Sequence, residues 1–145
     1  MSEKDRAKLN EGNHCARCTI TILQWCIQAG VRCILENPWS SKIWWLPPIQ
    51  KLLRNRKGYL VRGDFCQFGT KWRKSTGFLC IHVPDHLRQR LHKICVGTNA
   101  CCSRTHEKHI QRTGSAPGGM PWTRIAQPYP PALNKTLADV LSLPP

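Results

Sequence analysis

The chain has 145 residues, enough for one domain or one part of a larger one, and carries 22 Lys and Arg against 8 Asp and Glu, a formal charge of +14. That imbalance predicts an anionic partner; a solvated basic surface with no dedicated ligand is the plain alternative. The longest apolar run is too short to span a bilayer, and prolines and glycines break up the basic stretch, which argues against an amphipathic membrane helix.

The opening residues Met1–Glu11 are charged and polar, unlike an export signal. The expected location is therefore cytoplasm or nucleus. In those compartments nine cysteines, an odd number, read as reduced thiols with a metal site among them, not as a disulfide framework.

Residues 1–12 read as a polar lead-in. From Asn13 to Ala29 the apolar residues Ile20, Ile22, Leu23, Trp25, Cys26 and Ile27 suit a helix with a wide buried face, closed by Gly30. Val31–Leu35 then reads as a short strand ending at Glu36, and this helix–turn–strand order belongs to α/β architecture. Ser40 or Ser41 can cap a helix through Ile43, Trp44 and Trp45. Pro47-Pro48 interrupts it, and Pro48 can start another through Ile49, Leu52 and Leu53.

Gly58–Val61 and Gly77–Val83 are the next two predicted strands, flanking a turn and expected to pair antiparallel. A short polar helix is predicted over Asp85–Ile94. From 95 to 122 periodicity vanishes, and a loop that long needs a staple or a function. The closing segment, 123–145, leads through Tyr129-Pro130-Pro131 into an amphipathic helix with Leu133, Leu137, Val140 and Leu141.

Three groups of residues carry chemistry. Glu36-Asn37-Pro38 closes an apolar strand, and Pro38 turns the chain sharply, since the residue before a proline is held out of the helical region. In an open α/β sheet that strand end is where sites are built. A partly desolvated Glu36 can accept from an amino group and, when protonated, donate to a ring nitrogen; a turn carboxylate paired with a nearby Lys or Arg is the simpler reading.

The second group lies between the later strands. Lys51 to Lys74 holds eight cations, Arg54 and Arg56 among them, against the single acid Asp64, and such a stretch favours polyanions through counterion release. Within it, Lys71, Arg73 and Lys74 crowd a Gly69-containing turn suited to gripping phosphate. Trp72 between them is a stacking surface. A hairpin tip whose charges keep a sheet edge soluble is the alternative. The third group is Cys95, Cys101, Cys102, His106 and His109, five metal-competent residues in one loop, with unligated thiols and imidazoles as the alternative. Cys15-Ala16-Arg17-Cys18 has metal-knuckle spacing too, but it falls on the first helix with no second knuckle, and it reads as helix packing.

Glu36, Asn37, Pro38, Ser41 and Trp44 together resemble a Glu-Asn-Pro-x-x-Ser-x-x-Trp block of cytosine-5 DNA methyltransferase-like proteins. Phe68–Thr76 resembles the Arg-rich turn that follows in the same family. The resemblance runs from about Leu9 to Leu141 and implies the C-terminal half of a Rossmann-like, class I S-adenosylmethionine-dependent methyltransferase sheet, over 13–94, carrying a Cys/His loop.

It implies that Glu36, with Asn37, holds the target base, that Arg73 contacts it, and that Lys71 and Lys74 contact the DNA backbone. It further implies Cys95, Cys102 and His109 as ligands of a structural zinc; apart from the resemblance, Cys66 or Cys80 can supply a fourth ligand through space. The sequence has no Gly-x-Gly turn for S-adenosylmethionine and no cysteine after a proline for the nucleophile. The expected protein is therefore a split or truncated methyltransferase half that needs a complementary N-terminal polypeptide. Its nucleic acid is expected to be DNA, with RNA left open. The second reading is a non-catalytic, zinc-stapled nucleic-acid-binding module.

Overall fold

The computed structural model of the chain describes residues 1–142; the last three residues of the predicted closing segment lie outside the described residues. The first helix is longer than its periodicity suggests. α1 spans Glu3–Ala29, because Ser2 caps it: the Asp5 amide donates to Ser2 Oγ at 3.1 Å, and Glu3 and Asp5 sit favourably in the first turn. The predicted lead-in is thus helical, though all of residues 1–12 stay exposed. Gly30, at φ 66°, ends the helix in the left-handed conformation.

Three strands follow: β1 (Cys33–Pro38), β2 (Tyr59–Asp64) and β3 (Ser75–Ile81). Their order in the sheet is β1-β3-β2, and both neighbours run antiparallel to β3. The expected antiparallel pairing of the second and third strands is present. β1 therefore points the same way as β2, with β3 reversed between them. The architecture is mixed α/β with a small three-stranded sheet, and the larger Rossmann-like sheet is not seen among the described residues.

Strand alternation sorts the core. Phe78 and Cys80 of β3 face one side, packed with Phe65, Leu91, Leu133 and Val140. Leu79 and Ile81 face the other, packed with Leu23, Trp44 and Ile49. α1 and α2 (Pro47–Arg54) cover that second face, while α3 (Asp85–Gln89) and α5 (Pro131–Ser142) cover the first. A single-turn helix, α4 (Trp122–Ile125), precedes α5. α3 stops five residues short of the predicted Ile94, where the chain turns to set Lys93 beside Gly63 in a short parallel bridge on the outer edge of β2.

The Glu-Asn-Pro turn is locked from below. Trp44 donates its indole N–H to the Pro38 carbonyl at 2.9 Å. Its ring lies against Gly77, where an added Cβ would come within 2.8 Å of Trp44 Cζ2. Ser41 caps the 3-10 turn that carries Trp44, accepting from the Ile43 amide. Ser41 and Trp44 thus hold the strand end in place.

Candidate functional site

The carboxyl ends of β1 and β2 and the amino end of β3 meet at one end of the sheet, which collects Glu36, Asp64, Arg73 and Lys74. Glu36 Oε2 accepts from the Tyr129 hydroxyl at 2.8 Å, and Glu36 Oε1 lies 3.8 Å from Lys74 Nζ. Burial, reinforced by the Glu36 carboxylate, pushes the Tyr129 hydroxyl up to about 12. Lys74 also lies 4.5 Å over the Phe65 ring and 5.8 Å from that of Tyr129. Three side-chain polar atoms are buried without a hydrogen-bond partner among the described residues: Glu36 Oε1, Trp72 Nε1 and Thr76 Oγ1. Glu36 and Thr76 belong to this end of the sheet.

Asp64 is the hub of the same region, and sequence reasoning passed over it. Fully buried, it receives Arg73 Nε at 3.2 Å, Arg62 Nε at 3.4 Å and the Cys95 amide at 2.9 Å. Burial by itself would raise its carboxyl. The Ser75 hydroxyl, the Cys95 amide and the two guanidinium groups outweigh burial and hold it below its ordinary value. The available signal was its isolation, as the one acid in the basic stretch. Tyr129 was equally unmarked, sitting in the proline-rich closing block.

Asp64 also leads into the metal-competent cluster. Cys66, on the 3-10 turn Phe65–Phe68, joins Cys95, Cys102 and His109, and the four ligand atoms all lie within 4.8 Å of one another. The three cysteines are buried. These four residues could hold a metal ion. Cys95, Cys102 and His109 are the expected trio, and of the two candidates for the fourth place the structure brings in Cys66. Cys80 points into the core beside Phe78. Cys101 turns to the Asn99 carbonyl and His106 is exposed.

The loop's backbone is shaped around thiolates. Burial would raise Cys95, but the Ser103 and Gly97 amides and the Ser103 hydroxyl bring its thiol down to about 6. Cys102 is likewise lowered against the effect of burial, by the Arg104 and Thr105 amides and by His109. Cys66, pushed up to about 12 by burial and the neighbouring sulfurs, is the member that needs a cation beside it to ionise. Gln67 braces the cluster by donating toward both Cys66 and Cys102. Arg104 Nε reaches the Cys66 carbonyl at 2.9 Å, and the Ile110 amide the Lys71 carbonyl at 2.9 Å, so the loop is docked on the basic turn.

The remaining candidates fall elsewhere. Asn37 alternates to the opposite face from Glu36 and borders a cleft with Cys15, Thr19 and Ser41. Arg54 and Arg56 precede β2, so they sit near its starting end, roughly 20 Å from the basic turn at a strand's rise per residue. Lys71 is exposed and Trp72 half-buried. Cys15 and Cys18 are exposed, so they do not pack as expected.

No protein-family model, curated protein or solved structure matches the chain. Among the described residues no helix is long and apolar enough to cross a membrane. The geometry alone therefore bears on function.

Proposed function

We propose that the chain is the base-binding half of a cytosine-5 DNA methyltransferase-like domain, with Glu36 reading the target base and the 71–74 turn gripping the backbone beside it. The observation that carries this reading is the convergence of Glu36, Arg73 and Lys74 on one sheet end, where Glu36 Oε1 and Thr76 Oγ1 are buried without a hydrogen-bond partner. Buried polar atoms are normally satisfied, and their clustering marks a place prepared for a polar ligand. The parallel direction of β1 and β2, with one strand reversed between them, fits the edge of a doubly wound sheet. Glu36 can accept from the cytosine amino group and, protonated, donate to N3.

S-adenosylmethionine finds no fitting set of residues in this sequence, and the nucleophile is likewise assigned to another polypeptide segment. Zinc does fit. Three thiols and one imidazole are the soft and borderline donors a closed tetrahedral zinc site takes. It would clamp the 95–109 loop to the turn bearing Lys71 and Arg73. That clamp also favours a second reading, a zinc-stapled nucleic-acid-binding module without catalysis.

The two readings separate on Glu36. Duplexes carrying cytosine or thymine opposite an abasic site, where extrusion is cheap, should be told apart by the wild-type chain and not by Glu36→Gln. Equal affinity for both duplexes in the wild type would leave only the binding module. In a reconstituted pair, Glu36→Gln should abolish methyl transfer while duplex affinity stays within about twofold. Metal analysis showing no stoichiometric zinc would remove the clamp.

A further inference from the structure

Apart from the sheet end that holds Glu36, two cavities adjoin the basic turn. On one side lies an open groove of about 610 Å³ between the 68–72 turn and the proline-rich stretch before α5, walled by Trp72, Tyr129, Phe68, Ile125, Pro128 and Pro131. On the other lies a small niche of about 130 Å³ formed by Gly69, Thr70, Lys71, Arg104, Thr105 and Lys108, with Glu107 and Cys102 completing its wall. The two share Gly69, Thr70 and Lys71. Those three residues span at most about 10 Å of chain.

We infer that these cavities form a site for one unstacked nucleotide of a single strand, its base in the Trp72–Tyr129 groove and its phosphate in the Lys71–Arg104–Lys108 niche. The groove is apolar and lined by flat rings, which suits a base face. The niche presents three cations against the single Glu107 carboxylate, and so favours phosphate. A paired, stacked base cannot enter the groove, which selects single strands over duplex. Tyr129 lines the groove and binds Glu36 through its hydroxyl, while Glu36 itself does not line the groove.

The metal-competent cluster shapes the phosphate half. Arg104, Thr105 and Lys108 lie between Cys102 and His109, and Cys101 pairs with Lys108 in a short antiparallel bridge. The site rests on the reading of the chain as a nucleic-acid binder, and its test is built to fail separately from that reading.

The probes are fluorescein-labelled dT4, a tetramer of abasic sugar-phosphate with the same charge, and a short duplex, each titrated against metal-loaded protein. The wild type should bind dT4 about tenfold more tightly than the abasic tetramer, the scale of one base–aromatic stack. Trp72→Ala should bring that ratio to about one, and Trp72→Phe should keep most of it. Lys71→Ala with Lys108→Ala, both on the surface, should weaken dT4 and the abasic tetramer alike and flatten the salt dependence. A ratio near one in the wild type overturns the site, as does an unchanged ratio in Trp72→Ala. If Trp72→Ala does not fold, unchanged affinity and salt slope in the double lysine variant overturn it instead. Duplex binding with no base dependence removes this site alone, whereas no binding to any of the three probes removes the nucleic-acid reading itself.

Discussion

Replacing Cys66 by Ser isolates the one ligand that comes from outside the Cys/His loop. Cys66 and Cys95 are 29 residues apart in sequence, so a metal joining them closes a long loop in the unfolded chain. On the chain-entropy model of a cross-link that closure stabilises the fold by roughly 3–4 kcal/mol. For a chain of this size, with an unfolding entropy of about 0.3 kcal/mol per degree, that is a fall in Tm of about 10 °C. Cys80→Ser is the matched control. Cys80 Sγ already points at the Phe78 carbonyl, 3.7 Å away, so a serine hydroxyl there can find an acceptor, and the metal cluster is untouched. Metal content by elemental mass spectrometry and a thermal melt, run on both variants, make the assay. One equivalent of zinc and an unshifted Tm in Cys66→Ser would refute the four-ligand assignment, as would loss of metal from Cys80→Ser alone.

Gly97→Ala should lower metal affinity at least tenfold in a chelator competition, because its Cβ would collide with the Cys101 carbonyl oxygen and lie 2.7 Å from the Ser103 amide that supports Cys95. Asp64→Asn should cost about 1.5–3 kcal/mol at pH 7, the range for a hydrogen bond to a charged group, held to its lower half by the partial exposure of Arg62 and Arg73. Because the folded Asp64 carboxyl is lowered, its contribution is present above the ordinary value of 3.8 and fades as pH falls through the folded value. The gap between wild type and Asp64→Asn in urea titrations should therefore close below that pH. In a Tyr59→Phe background, where Tyr129 is the one remaining tyrosine of two, tyrosinate absorbance should titrate near 12 and move down in Glu36→Gln, which removes the carboxylate's part of the shift and leaves that of burial. Arg54→Ala with Arg56→Ala should leave oligonucleotide affinity within about twofold, since both lie near the far end of β2.

The local elements were legible because their signals are local. Short apolar runs marked the three strands to within a few residues, and Gly30 marked the end of α1. The start of α1 was missed because the cap at Ser2 precedes a stretch with no apolar period, where the helix is held by its cap and continuity, not by burial. α3 was overextended because the segment after Gln89 is drawn off to pair Lys93 with Gly63, a contact no periodicity records. Glu36, Arg73 and Lys74 were named as a set and do share one sheet end. Asn37, adjacent to Glu36 in sequence, faces away from it for the same reason alternation works at all: neighbouring strand residues point to opposite faces.

By itself the sequence determined the charge, the mixed α/β class, the apolar strand positions that became the core, and the crowding of thiols and imidazoles after residue 95; on α1 the expected wide buried face shrinks to Leu23, with Ile22 and Trp25 exposed. Only the tertiary structure decided which of two buried cysteines completes that cluster. Cys66 sits where β2 has ended and the chain turns out toward the loop, while Cys80 lies within β3 with its side chain committed to the core. The same fold made Asp64 a buried hub between Arg73 and Cys95, partners 9 and 31 residues away along the chain. A carboxylate's role depends on which charges and amides surround it in space, and that arrangement exists only once β2, β3 and the Cys/His loop have packed together.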